Sequence, residues 1–411
     1  MTETSSGLAW RNRPHHRAWL VQQAMTIFEQ FQSAVIDPAG GFFSLDDQAR
    51  PRRDDPVREL LTSARLVHSF SIAQMMGQPG AANIVDHGMD ALWNLHRDQS
   101  TGGYPWETRG SNTSRQAYGH AFVLLAASSA KMAGHPDADR LIADVTGIMV
   151  DKFWDPDLGA MAEEFDADWR PLSNYRGQNA NMHSVEAFMG AFEATGDSNY
   201  LGMAERIATR LIHHVARSHD WHVIEHFDRH WVPDTVYRGS DMFRPFGTTP
   251  GHSLQWSRQI AQLDALGSGR LGWTMDAARC LFKQAITDGW DKDQGGFYYT
   301  LDYDNQPLIR DRLWWPVCEA IAASAYLHVR TEDAVFETWY RKVWDWADRY
   351  MLDHRIGGWH GELNDRLVPH SRFFSGKTDI YHALHACLVP LLPARGGLAA
   401  MTKMAASPTV G

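Results

Sequence analysis

Cysteine is scarce in this chain of 411 residues. Cys280, Cys318 and Cys387 stand far apart, are odd in number and form no CxxC pair. That excludes a disulfide framework and a thiolate-rich zinc motif, and suits a reducing cytoplasm. Positive charge is also in short supply. Thirty-nine Lys and Arg face 49 Asp and Glu, for a net charge of −10, with no basic run. No field draws a polyanion, so no nucleic-acid partner is expected. Long apolar runs are missing. The longest, near "AFVLLAASSA" (121–130), is far too short for a bilayer, so no membrane partner is expected either. The start "MTETSSGLAWRNRPHH" lacks a basic segment followed by an apolar one and does not read as a secretory signal. GxGxxG, P-loop, GxSxG and HExxH patterns are absent. Nucleotide cofactors, a serine nucleophile and a catalytic metal therefore have no motif to rest on. His382 and His385, three apart, and the adjacent His213 and His214 do not make a metal set. The expectation is an enzyme without cofactor or metal.

What the chain does have is Trp, 17 residues, and His, 21 residues, on an ordinary globular background of 44% hydrophobic and 21% charged residues. It also repeats. "DPAGGFF" (37–43), "QSTGGYPWE" (99–107), "DPDLGAMAEEF" (155–165), "DKDQGGFYYTLD" (291–302) and "RIGGWHGELN" (355–364) resemble one another. "HDWHVIEHFD" (219–228) is a degenerate member without glycines. They recur about 56 to 72 residues apart, the mark of a repeat architecture. Gly-Gly before alternating or aromatic residues suits a tight turn into a short β-ribbon. Between them lie shorter breaks: "MMGQPGA", "MAGHPDAD", "ATGDSNY", "ALGSGRL" and "VRTEDAV". Each reads as a helix end followed by a new helix.

The intervening segments are helical in period. In Tyr200–Val215, Leu201, Ala204, Ile207, Leu211 and Val215 share one face, while Glu205, Arg206 and Arg210 fall on the other, as on a half-exposed helix. "YGHAFVLLAASSA" and "MHSVEAFMGAFEA" are apolar nearly all round and read as buried. Twelve helices, alternately buried and half-exposed, predict an all-α fold. Six helical hairpins close into an (α/α)6 barrel with short β-ribbon loops at one face. The chain then forms one catalytic domain over 1–411, its core about 16–392, with a loose tail "ARGGLAAMTKMAASPTVG". An open helical solenoid is the competing architecture, but it calls for distinct capping repeats.

In such a barrel the long loops open on one face, and the first turns of the buried helices converge there. Those turns carry Arg65, Tyr118, Asn179, His183, His252, Trp315, Glu319 and His382. Each has a bland reading. A histidine on an apolar helix serves as a hydrogen-bonded core residue, Arg65 and Glu319 can pair as structure, and Asn179 can be a helix cap. The shared register across repeats favours a polar pocket for a polar ligand instead. Two imidazoles, a carboxylate, an arginine and indoles suit proton transfer on a sugar.

"PGHSLQWSRQI", "GKTDIYHALHACL" and "ELLTSARLVHSFSIA" resemble the N-acylglucosamine 2-epimerase superfamily of (α/α)6-barrel sugar isomerases and epimerases. The resemblance spans about Trp19 to Leu392, and the "DIYHAL" form is similar to the mannose isomerase and sulfoquinovose isomerase branch. It implies a cofactor-independent aldose–ketose isomerase acting on a monosaccharide, with mannose–fructose interconversion through a cis-enediol. His252 and His382 take the acid/base places. Arg65, Tyr118, Asn179, His183, Trp315 and Glu319 take sugar-contacting places, joined by Arg244 in "FRPFGTTPGH" and by Gln255. The family pattern carries Glu three residues after the first His, where this chain has Gln255. Restoring that acid is expected to keep or raise activity. Within the superfamily, a sugar 2-epimerase and a sulfoquinovose isomerase stay open. So do a glycoside hydrolase using Glu319 with Glu107 or Glu225, and a non-catalytic sugar-binding protein.

Overall fold

A computed structural model describes residues 8–240 and 242–407. Residues 1–7 of the N-terminal stretch weighed above as a possible signal lie outside them.

Six buried helices form the inner wall: α2 (Leu60–Met75), α4 (Ala117–Met132), α6 (Gln178–Thr195), α8 (Pro250–Leu266), α10 (Trp314–Thr331) and α12 (Ile380–Leu388). Each packs on the next, and α12 packs back on α2, which closes the ring. Outside them lie α1 (Pro14–Gln32), α3 (Ala81–Ala91), α5 (Ala138–Ile148), α7 (Ser198–Ala208), α9 (Thr274–Asp288) and α11 (Ala334–Trp346). The hairpin partners pack in order, and α1 covers α12. An open solenoid is thereby ruled out. Burial follows the predicted alternation: α4 is buried along almost its whole surface, whereas α5 buries Ala138, Leu141, Ile142 and Val145 on one stripe. No helix among the described residues is long and apolar enough to cross a membrane.

Five of the six hairpin loops share one construction. In each, an Asp side chain (Asp37, Asp98, Asp155, Asp291 or Asp353) accepts from a backbone N–H two residues on. This Asx turn needs left-handed backbone a few residues later, and Gly295 and Gly296 supply it at φ +78° and +79°. The same carboxylates reach a cation just ahead of the next inner helix. Asp37 pairs with Arg58, Asp98 with Arg115, Asp291 with Arg312, and Asp353 with Lys377. The turns fold back within their own loops as expected, through 154–155 with 160–161 and single bridges at Ile36–Phe42, Trp290–Phe297 and Leu352–Trp359. In addition, the residues leading into an inner helix pair with the following repeat's loop, as in 58–59 with 107–108, 115–116 with 164–165, 176–177 with 226–227, and 312–313 with 362–363. The mouth of the barrel is thus stitched loop to loop.

The expectation of a loose tail is corrected over part of its length. Leu398–Ala406 forms a thirteenth helix, α13, which buries Leu398, Ala399, Met401 and Thr402 against α2, α4 and α6. Leu398, Ala399 and Met401 give this short segment an apolar face to bury. The side chain of Glu193 receives the Gly397 N–H in front of it. The last four residues lie outside those described.

Candidate active site

The first turns of the six inner helices meet around one cavity of about 80 Å³. Arg65 comes from α2, Tyr118 from α4, Asn179 and His183 from α6, His252 and Gln255 from α8, Trp314 and Trp315 from α10, and His382 from α12. Asp379, which caps α12 by accepting from the Tyr381 and His382 amides, joins them. Met242, Phe243, Tyr299 and Phe374 reach in from the loops. The cavity shares Arg65, Phe243, Phe374 and Asp379 with a wider outer space of about 370 Å³.

Both candidate imidazoles are held from behind. Nδ1 of His252 lies 2.9 Å from each oxygen of Glu225. Nδ1 of His382 lies 2.9 Å from Glu319 Oε1. A carboxylate accepts, so each Nδ1 carries the proton and each Nε2 keeps its lone pair for the cavity; at His252 the two Glu225 oxygens outweigh the Gln178 Nε2, which also lies 2.9 Å from Nδ1. The two rings pack on one indole: Trp315 lies 5.0 Å from His252 and 5.8 Å from His382, centroid to centroid. Gly251 makes this approach possible, because a Cβ there would stand 2.5 Å from the Trp315 ring.

The charges behind the wall are balanced. Glu319 is fully buried, yet Arg258, with Nε at 2.9 Å, and the His382 N–H outweigh that burial and hold its carboxyl down to about 2. Burial likewise works to raise Glu225, but His252 brings it below the ordinary carboxylate range. Burial holds His183 down to about 4, against the pull of Glu186, so this ring is neutral at neutral pH. Arg65 donates to Tyr118 Oη at 2.8 Å and to Asp379 at 3.2 Å. That leaves the Tyr118 hydroxyl proton free to point into the cavity. The buried Asn179 Oδ1 and Gln255 Nε2 have no protein partner.

Eight of the ten residues singled out in the sequence therefore line one cavity. The other two stand elsewhere. Glu319 touches no cavity surface; it is wholly covered and faces His382 and Arg258. Arg244 is clamped to Glu164 at 2.8 Å and lies over the Tyr175 ring. A half-buried guanidinium needs such a partner. It anchors the loop that carries Met242 and Phe243. Sequence reasoning missed Asp379, although the helix-cap pattern "TDIYH" pointed to it, and it missed the loop aromatics. One trio outside the cavity, Asp311, Glu362 and His370, brings three potential metal ligands within 4.8 Å. The Glu362 oxygens already accept the Arg372, Phe373 and Phe374 amides, and Asp311 pairs with Arg372.

Residues 40–386 match the N-acylglucosamine 2-epimerase (GlcNAc 2-epimerase) family. The chain belongs to this family. A D-mannose isomerase of Pseudomonas cannabina pv. alisalensis is 40% identical over 402 residues, covering 95% of this chain and 96% of that protein. A D-mannose isomerase of Thermobifida fusca is 40% identical over 399 residues, covering 95% and 98%. Among solved structures, a D-mannose isomerase superposes with a TM-score of 0.86 at 30% identity, covering 94% of this chain and 99% of the other. Cellobiose 2-epimerase from Spirochaeta thermophila gives 0.80 at 21% identity, covering 92% and 96%, a likeness of fold.

Proposed function

We propose that this family member is a D-mannose isomerase, an aldose–ketose isomerase that interconverts mannose and fructose, with the whole ring as one catalytic domain. The observation that carries the chemistry is the pair of imidazoles on one cavity, each with Nδ1 committed to a buried carboxylate. Identity of 40% to two D-mannose isomerases over nearly the full length supports the substrate.

Open-chain mannose presents its C1 aldehyde. One imidazole Nε2 removes the proton on C2, and a cis-enediol(ate) forms. The proton returns to C1, while the O2 proton passes to O1, giving fructose. Protons alone are exchanged, so the step is balanced without an external oxidant or reductant. Either imidazole suits the carbon transfer, with the other serving ring opening and the oxygens; a positioned base of this kind contributes about 10²–10⁴-fold. Arg65 and the Tyr118 hydroxyl face the cavity as donors for the developing oxyanion. Gln255 and Asn179 offer neutral hydrogen bonds to hydroxyls, and Trp315 offers an apolar face.

Two observations speak against the alternatives. A glycosidase needs two facing carboxylates. Among the described residues lining the cavity, Asp379 is the one carboxylate, and it is paired with Arg65. A sulfonated sugar wants a free cation, and Arg65 is the one arginine or lysine in that lining. The test is incubation of the enzyme with mannose, glucose, N-acetylglucosamine and sulfoquinovose in deuterated water, followed by NMR. Fructose carrying deuterium at C1 is expected from mannose. Exclusive conversion of one of the other sugars, or no exchange at all, rejects the reading.

A further inference from the structure

We propose that Glu225 is the positioning residue of His252, fixing its tautomer and balancing its charge, and that position 255 is the alternative seat for this carboxylate. The kinetic part rests on the isomerase reading; the structural part does not.

Glu225 is held for this task. Both oxygens reach His252 Nδ1 at 2.9 Å, and they also accept from Gln178 Nε2 at 2.8 Å and from the Thr249 amide at 3.2 Å. Gln178 is in turn fixed by Trp256 Nε1, which donates to its Oε1 at 2.7 Å. A carboxylate bound on so many sides cannot swing away, so the imidazole it holds cannot flip. The charge environment differs from that of the other histidine. Glu319 shares its charge with Arg258, whereas among the described residues no arginine or lysine pairs with Glu225. The positive charge that His252 acquires with a second proton is therefore what Glu225 stabilises. The local chain path fits the role. Glu225 lies in the one repeat whose hairpin turn has no glycine, where the 226–227 strand pairs with 176–177 and brings it under the starts of α6 and α8. Gln255, one turn along α8 from His252, is neutral, and its Nε2 has no partner. A second carboxylate there would face Glu225 across the same imidazole and would hold its proton.

The test uses full-length, 15N-labelled protein. Two-bond ¹H–15N correlation spectra, with His252 assigned by its loss in His252→Ala, are expected to show the Nδ1–H tautomer. In Glu225→Gln the amide N–H of the new side chain favours the opposite tautomer. In that variant, kcat on mannose is expected to fall by about 10²–10⁴-fold with KM changed less than about threefold. Gln255→Glu alone serves as the reference for the double variant. In the Glu225→Gln background it is expected to recover at least about tenfold of kcat, as an ionised carboxylate regains reach of the ring. An Nε2–H tautomer in the unsubstituted protein overturns the proposal, even if Glu225→Gln fails to fold. An unchanged kcat in Glu225→Gln overturns it too, and a double variant no faster than the single one overturns the alternative seat. If the unsubstituted enzyme turns over no hexose, the isomerase reading fails while the tautomer result still decides the positioning role.

Discussion

At the scale of single residues, the two candidate imidazoles look alike from the cavity and differ from behind. Substituting either by Ala removes an acid/base group, and turnover is expected to drop by about 10²–10⁴-fold in both cases. Their stability costs are expected to differ. His382→Ala leaves Glu319 with Arg258, whereas His252→Ala leaves Glu225 buried with neutral donors only. A buried charge stripped of its partner is strongly destabilising. His252→Ala should therefore melt at the lower temperature of the two, and equal melting temperatures would contradict the charge balance described here. This difference was not legible in the sequence. Register along the inner helices identified His252, His382 and the other lining residues, because polar groups at matching turns of apolar helices stand out. It could not say which way a buried polar side chain points. Glu319 satisfies the same register and faces away from the cavity. Glu225 escaped as a positioning residue because it sits in the one repeat whose turn pattern is degenerate.

At the scale of elements, the Asp–cation pairs tie four of the hairpin loops to the lead-in of an inner helix. Asp291–Arg312 is nearly fully covered, with side chains 5% and 1% exposed, while Asp168–Arg170 on a loop tip is 64% and 75% exposed. Asp291→Ala is expected to lower unfolding free energy by about 3–5 kcal/mol, in line with a broken buried pair. It should also weaken sugar binding, since Trp314 and Trp315 stand two and three residues after Arg312. Asp168→Ala is expected to cost under about 1 kcal/mol. Urea titrations of the two variants side by side check this, and equal costs would refute it. The Gly-Gly turns were plain in the sequence because few residues accept left-handed backbone. A second set of Asx turns, at Asp46, Asp166, Asp228, Asp302 and Asn364, was not noticed. Their left-handed positions are filled by Ala49, Trp169, Trp231, Asn305 and Leu367, with no glycine to mark them. The π-helical turns that end α3, α5, α7 and α11 also left no signal, since one extra residue per turn barely disturbs an apolar stripe.

At the scale of the whole molecule, buried histidines set the response to acid. Burial holds His68 to about 3, and His16, His96, His120 and His183 to about 4. In the unfolded chain such rings titrate near 6.5. Between about pH 6.5 and 4 the unfolded chain therefore binds protons that the folded one does not, and stability falls as the pH falls. Glu193 runs the other way. Burial holds it up to about 8, so its contribution is present at low pH and is lost as the pH rises through that value. Burial raises Glu59 and Glu163 as well and lowers His213, His226 and His360, so the lowered histidines outnumber the raised carboxylates and dominate below neutrality. The urea midpoint is expected to drop steadily from about pH 7 to pH 5, and a flat profile would show that these rings do not stay neutral in the fold.

The closure of the ring by α12 against α1 and α2 has a consequence for biogenesis. The inner wall is completed only by α12, the last of the six inner helices to be translated. Until then the nascent chain holds the flanks of α1 and α2 open to water, with their last neighbour still untranslated. Contacts of such long sequence separation form late and slowly.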